Sequence, residues 1–222
     1  YHVVSFDLPG FGLSDAPIHT ADIQTVYRDF MDFILDNYTK DTCHLIGNSM
    51  GGMIAWNTAL SKMKKIQKLV LLAPAGYDMV QIAEKNAEWI NQPIIRFLLA
   101  KGAAPFIAKS NVKMCFYDDE HIDPELYDRK YGMMNKVGNL EYLKQIAGYK
   151  NFMDTGAIKQ IVTPTLLIWG TEDEIIPFSH AERFNRDLPN CSFLTYEKCG
   201  HAPMLEELDK CTADILKFFE IN

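Results

Sequence analysis

Gly47-Asn48-Ser49-Met50-Gly51 decides how this chain is read, because of what flanks it. An apolar run, Cys43-His44-Leu45-Ile46, leads into it, and a segment of helical character, Gly52 to Ser61, leads out. A Gly-x-Ser-x-Gly set between a strand and a helix points a serine hydroxyl out of a tight turn. Glycine is expected on both sides of so sharp a bend, since a Cβ there would collide with the neighbouring strand or helix. Ser49 is therefore a candidate nucleophile. A glycine-rich turn without chemistry is the alternative, and the strand-then-helix setting argues against it.

Outward from this stretch, short apolar runs alternate with helical periodicity. Apolar residues at Ile23, Val26, Tyr27, Phe30, Phe33 and Ile34 recur every three or four positions, which predicts a helix over 20–38. Leu69 to Ala73 is continuously apolar, the pattern of a strand buried on both faces. His2 to Phe6, 165–170 and 192–197 also read as strands, while 178–188 and 204–219 read as helices. Such alternation predicts a mostly parallel α/β sheet wrapped by helices. Residues 77–158 break the rhythm and carry no strand pattern. They read as a helical cap or lid inserted into a core formed by 1–76 and 159–222.

Composition narrows the function. With 48% hydrophobic residues among 222, the chain can bury a core, and a formal charge of −7 argues against a nucleic-acid surface. No apolar run reaches the 18 residues of a membrane span. Cysteines 43, 115, 191, 199 and 211 form no C-x-x-C pair, which favours a reducing, cytoplasmic setting. No cluster with metal-ligand spacing occurs, so neither metal nor cofactor is implied.

A serine hydroxyl needs a base to take its proton, and the base needs a carboxylate to fix its tautomer. In a parallel sheet both belong on loops just past strand ends. Of His2, His19, His44, His121, His180 and His201, only His201 follows a predicted strand directly, within Cys199-Gly200-His201-Ala202-Pro203. The loop after 165–170 carries Glu172, Asp173 and Glu174, and spacing alone does not choose among them.

With these motifs in place, the chain resembles the α/β-hydrolase fold superfamily over nearly its whole length. Asp7-Leu8-Pro9-Gly10-Phe11-Gly12-Leu13-Ser14-Asp15 is similar to the family's loop after its fourth strand, with Asp7 and Ser14 bracing it. Gly47 to Gly52 resembles its nucleophile elbow, and Gly200-His201-Ala202-Pro203 with Glu206 resembles its histidine loop. Gly170-Thr171-Glu172-Asp173 with Ile176-Pro177 is similar to its acid loop, and that alignment selects Asp173. The resemblance implies a Ser49–His201–Asp173 triad, with the Met50 backbone N–H as one oxyanion donor. It also implies that the family's first three strands, and the second oxyanion donor after the third, lie upstream of Tyr1. The 222-residue chain is then expected to be a weak catalyst on its own.

The reaction expected first is hydrolysis of a small-to-medium carboxylic ester through an acyl-enzyme. Gly-Asn-Ser-Met-Gly-Gly also resembles the elbow of carbon–carbon bond hydrolases acting on ring-cleavage dienoates, which is the alternative. Those enzymes usually place Trp directly after the histidine, where this chain has Ala202, and use a lid arginine that neither Arg96 nor Arg129 matches clearly. A non-catalytic binding protein on the same fold is a third reading, disfavoured by an intact triad. Trp89, Phe97, Phe116 and Tyr131 are candidate substrate contacts in the cap, although any one of them can equally pack the lid on the core. The partner expected is a small-molecule substrate, and the oligomeric state is not legible.

Overall fold

The computed structural model describes residues 1–17, 22–78, 88, 104–139, 142, 145–146 and 154–221. They fall into two compact units. One contains Tyr1–Tyr38, Asp78–Val112 and Asp123–Phe152, and the other Thr39–Tyr77, Lys113–Ile122 and Met153–Asn222. By this grouping 113–122 and 153–158 of the segment read as a cap fall in the unit that holds the sheet, and 1–38 falls in the other.

In the first unit, helix α1 (Ile23–Tyr38) buries Ile23, Tyr27 and Ile34 of the stripe its periodicity predicts, together with Met31 and Leu35. Val26 and Phe30 are half-buried and Phe33 is exposed. The turn at 7–15 is braced as its sequence implies. Asp7 Oδ2 accepts the Leu13 N–H at 2.9 Å, and Ser14 Oγ donates to the Asp7 carbonyl at 2.7 Å. Gly10 has φ +81°, and a Cβ there would lie 1.9 Å from the Tyr142 ring, so both conformation and space demand glycine. Residues 2–6 form no strand, contrary to the expectation. A strand exists by pairing, and no described residue offers 2–6 a ladder; Tyr1 and Val3 are almost fully exposed.

The second unit is built on four parallel strands in the order β1 (Cys43–Asn48), β2 (Ile66–Leu72), β3 (Thr165–Gly170) and β4 (Cys191–Tyr196). Helix α2 (Ser49–Ser61) follows β1 without a break. Beyond β2 the described helices are α3 (Ala104–Lys113), α4 (Glu125–Met134), α5 (Ser179–Asp187), α6 (Pro203–Glu206) and α7 (Leu208–Glu220). The run read as one helix over 204–219 is therefore two. Glu207 leaves helical geometry at φ −123°, ψ 47°, and its carbonyl accepts the Cys211 N–H at 2.8 Å.

Alternation along the central strands explains why 69–72 and 166–169 are uniformly apolar. Val70, Leu72, Leu166 and Ile168 pack with Cys211 and Phe218 of α7 on one face. Trp169 lies on the opposite face, 6.1 Å from the Phe184 ring of α5. With helices on both sides, β2 and β3 carry no polar-facing row. Lys68, the cation within β2, instead reaches the carboxyl end of α7, where its Nζ donates to the Phe218 and Phe219 carbonyls at 2.8 and 3.1 Å. In a parallel sheet all four strands point their carboxyl ends the same way, and the loops that leave those ends carry the site.

Candidate active site

The elbow forms as its sequence predicts, with one exchange of roles. Ser49 takes φ +54°, a left-handed conformation costly for a residue with a Cβ and found where function demands it. A Cβ on Gly47 would lie 2.3 Å from the Gly51 carbonyl oxygen, so that glycine is obligatory. A Cβ on Gly51 would meet nothing within 4 Å, whereas one on Gly52 would lie 2.7 Å from Pro74 Cβ. The second glycine that packing requires is thus Gly52, one residue later than expected. The Ala75 N–H donates to the Ser49 carbonyl at 2.9 Å, fixing the turn to the exit of β2. Ser49 and Met50 open α2, where backbone N–H groups have no intrahelical acceptor and the helix dipole favours negative charge.

The acid loop leaves β3 at Gly170, where a Cβ would sit 2.2 Å from both the Cys199 and Gly200 carbonyl oxygens. That contact presses the acid loop against the histidine loop. Asp173 is buried while Glu172 and Glu174 are exposed, so the tertiary structure singles out the same acid as the family alignment. Its Oδ1 accepts the Ile175 and Ile176 N–H groups at 2.8 and 2.9 Å, which fixes the carboxylate plane. Its Oδ2 lies 2.8 Å from His201 Nδ1, with both side chains at most 5% exposed. An ionised carboxylate only accepts, so this bond requires the proton on His201 Nδ1.

The link from His201 to the elbow runs through Asn48. Its Nδ2 donates to the Leu72 carbonyl at 3.0 Å and to the His201 carbonyl at 3.1 Å, joining the ends of β1 and β2 to the histidine loop. Among the described residues Ser49 Oγ makes no hydrogen bond. On the other side, the Cys115 carbonyl accepts the His201 and Ala202 N–H groups at 2.9 and 3.2 Å. Asn48 and Cys115 escape a reading of the sequence because each acts through a tertiary contact. The only hint is a polar residue ending the apolar run that leads into the elbow.

The remaining candidates lie elsewhere. Phe116 is buried in the 113–122 segment beside the histidine loop, and Tyr131 is exposed on α4 in the first unit. Trp89 and Phe97 lie outside the described residues. His44 stacks on Phe219 at 4.4 Å, and burial, helped by the Lys68 cation, lowers its pKa. Burial pushes the Cys191 and Cys211 thiols up to about 11, and raises Cys43 and Cys199 as well. None of these four competes with Ser49 as a nucleophile near neutral pH. Among the described residues no three of His, Cys, Asp and Glu are grouped to hold a metal ion, and no helix is long and apolar enough to cross a membrane.

Known proteins resemble this chain in sequence and fold. The chain is 29% identical over 224 residues to a 2-hydroxy-6-oxononadienedioate/2-hydroxy-6-oxononatrienedioate hydrolase of Dechloromonas aromatica, covering 98% of this chain and 76% of that protein. It is 25% identical to a 2-hydroxy-6-oxo-6-phenylhexa-2,4-dienoate hydrolase of Comamonas testosteroni, covering 95% and 74%. Among solved structures, a meta-cleavage product hydrolase from Pseudomonas fluorescens IP01 superposes with TM-score 0.79 at 23% identity, over 96% of this chain and 77% of that one. An esterase from Exiguobacterium antarcticum gives 0.77 at 20%, over 97% and 80%. The model of the alpha/beta hydrolase fold family matches residues 1–208. This chain therefore belongs to the alpha/beta hydrolase fold family and is a hydrolase.

Proposed function

We propose that Ser49, His201 and Asp173 form the catalytic triad of a carbon–carbon bond hydrolase acting on a 2-hydroxy-6-oxo-dienoate, a ring-cleavage product. The triad reading is supported by the 2.8 Å contact between His201 Nδ1 and Asp173 Oδ2, on loops that leave the carboxyl ends of the parallel strands as the Ser49 elbow does. The substrate reading is supported by the relatives, whose names describe such dienoates. It displaces the ester reading favoured by the sequence motifs alone.

The chemistry suits these residues. His201 Nε2 takes the Ser49 proton as the hydroxyl attacks the 6-oxo carbon, and the Met50 N–H stabilises the oxyanion. Carbon is a poor leaving group unless its electron pair is delocalised. The enol proton first shifts from the oxygen at carbon 2 to carbon 5. In the resulting 2-oxo form the pair released at carbon 5 spreads through the double bond between carbons 3 and 4 to the carbonyl oxygen at carbon 2, so the bond between carbons 5 and 6 can break. The fragment that leaves takes up a proton, and His201 then activates water to release the acyl group as a carboxylic acid.

Ester hydrolysis is the second reading, favoured by one observation. Ala202 occupies the position after the histidine, where the carbon–carbon enzymes usually carry Trp, and it is buried. Parallel assays of the full chain separate the two. Turnover of a 2-hydroxy-6-oxo-dienoate, followed by loss of its conjugated absorbance, is expected to exceed turnover of p-nitrophenyl acetate to octanoate. Ester turnover with an inert dienoate would establish the second reading. Covalent labelling by a fluorophosphonate is expected for the native chain and not for Ser49→Ala.

A further inference from the structure

Glu206 sits outside the triad, yet its carboxylate is spent on backbone near His201. Oε1 accepts the Gly200 N–H at 2.8 Å and Oε2 accepts the Tyr117 N–H at 2.7 Å. The two donors belong to different segments, the histidine loop and the 113–122 stretch of the insertion. Two further bonds tie the same segments, from the His201 and Ala202 N–H groups to the Cys115 carbonyl. The approach is close: a Cβ on Gly200 would lie 2.9 Å from both the Cys115 oxygen and the Tyr117 nitrogen. Helix α6, which carries Glu206, begins at Pro203, two residues past His201, and ends at Glu206 itself. The carboxylate therefore folds back over the loop from which its own helix starts.

We propose that Glu206 is a positioning residue that aims the His201 imidazole by clamping its loop to residues 115–117. The inference rests on His201 being the general base. A carboxylate suits the task because it offers two acceptor oxygens, each forming a charge-assisted bond to an N–H on a different segment. With the clamp released, Asp173 still holds Nδ1, and Cys115 and Asn48 still bond the His201 backbone. The loop nevertheless loses its two charge-assisted ties, and the backbone carrying the ring gains room to shift relative to Ser49. A displacement of about 1 Å at a reacting group costs on the order of 100-fold in rate. Glutamine keeps one acceptor and turns an NH₂ toward the other backbone donor, so Glu206→Gln should fall between the native residue and alanine.

The test measures the second-order rate of fluorophosphonate labelling of Ser49 in the full chain, with circular dichroism and thermal midpoints recorded on the same samples. Glu206→Ala is expected to slow labelling by about 10- to 100-fold in protein that is still folded. Glu206→Gln is expected to slow it less and serves if the alanine variant does not fold. Labelling at the native rate by folded variants, with only the thermal midpoint lowered, would overturn the proposal and leave Glu206 a structural residue. His201→Ala separates this from failure of the triad reading. If that variant labels normally, or the native chain does not label at all, the base assignment falls and this inference with it. If His201→Ala is inert while both Glu206 variants label as the native chain does, only the clamp is wrong.

Discussion

Ser49 holds a left-handed backbone, and the glycines around it are not equivalent. Gly51→Ala adds a methyl to open space inside a helix and should leave stability unchanged or raise it by about 0.5–1 kcal/mol. Gly52→Ala drives a methyl into Pro74 and should cost about 1–3 kcal/mol. Urea unfolding midpoints of the two variants check the contrast, and equal midpoints would remove the packing argument. At the acid, Asp173→Asn keeps the shape but exchanges an acceptor for a donor opposite His201 Nδ1. The wrong tautomer is then favoured, and turnover should fall on the order of 10⁴-fold. The family motif places the chemical residues at their positions, but the sequence does not show that Asp173 is buried and its two acidic neighbours exposed. That distinction arises from the Ile175 and Ile176 amides turning back onto Asp173.

At the scale of elements, strands and helices form where their periodicity puts them, and the departures have tertiary causes. Residues 2–6 have the composition of a strand and lack a pairing partner among the described residues. Glu207 interrupts a helix without a glycine or proline to mark the break. Asn48 ties three elements together. Asn48→Ala removes both bonds from its amide and should destabilise by about 1–3 kcal/mol, since two carbonyls lose their partner. It should also slow Ser49 labelling, because the histidine loop loses its tie to the elbow. A native labelling rate in folded Asn48→Ala would detach that bond from catalysis.

For the molecule as a whole, an ion pair between buried Asp187 and exposed Arg186, away from the site, adds to the loss of stability in acid. The Arg186 guanidinium, through two hydrogen bonds, holds Asp187 at about 2, below its ordinary 3.8, and the Tyr77 hydroxyl adds a third. A depressed carboxylate stabilises the fold fully above the unfolded value near 4 and loses that contribution as pH falls toward 2. The exposed guanidinium is screened by solvent, which keeps the effect modest. Unfolding midpoints measured from pH 6 to 2.5 should fall more steeply for the native chain than for Asp187→Asn, and parallel curves would contradict this. By itself the sequence determined the alternation of strand and helix, the parallel α/β class, the elbow and the order serine, acid, histidine. These follow from local geometry, from hydrophobic period, and from residue types tied to one turn. Only the tertiary structure decided that Gly52 rather than Gly51 is sterically bound, and that Asn48, Cys115 and Glu206 surround the histidine loop. Those roles are contacts between segments far apart along the chain, for which no local pattern exists.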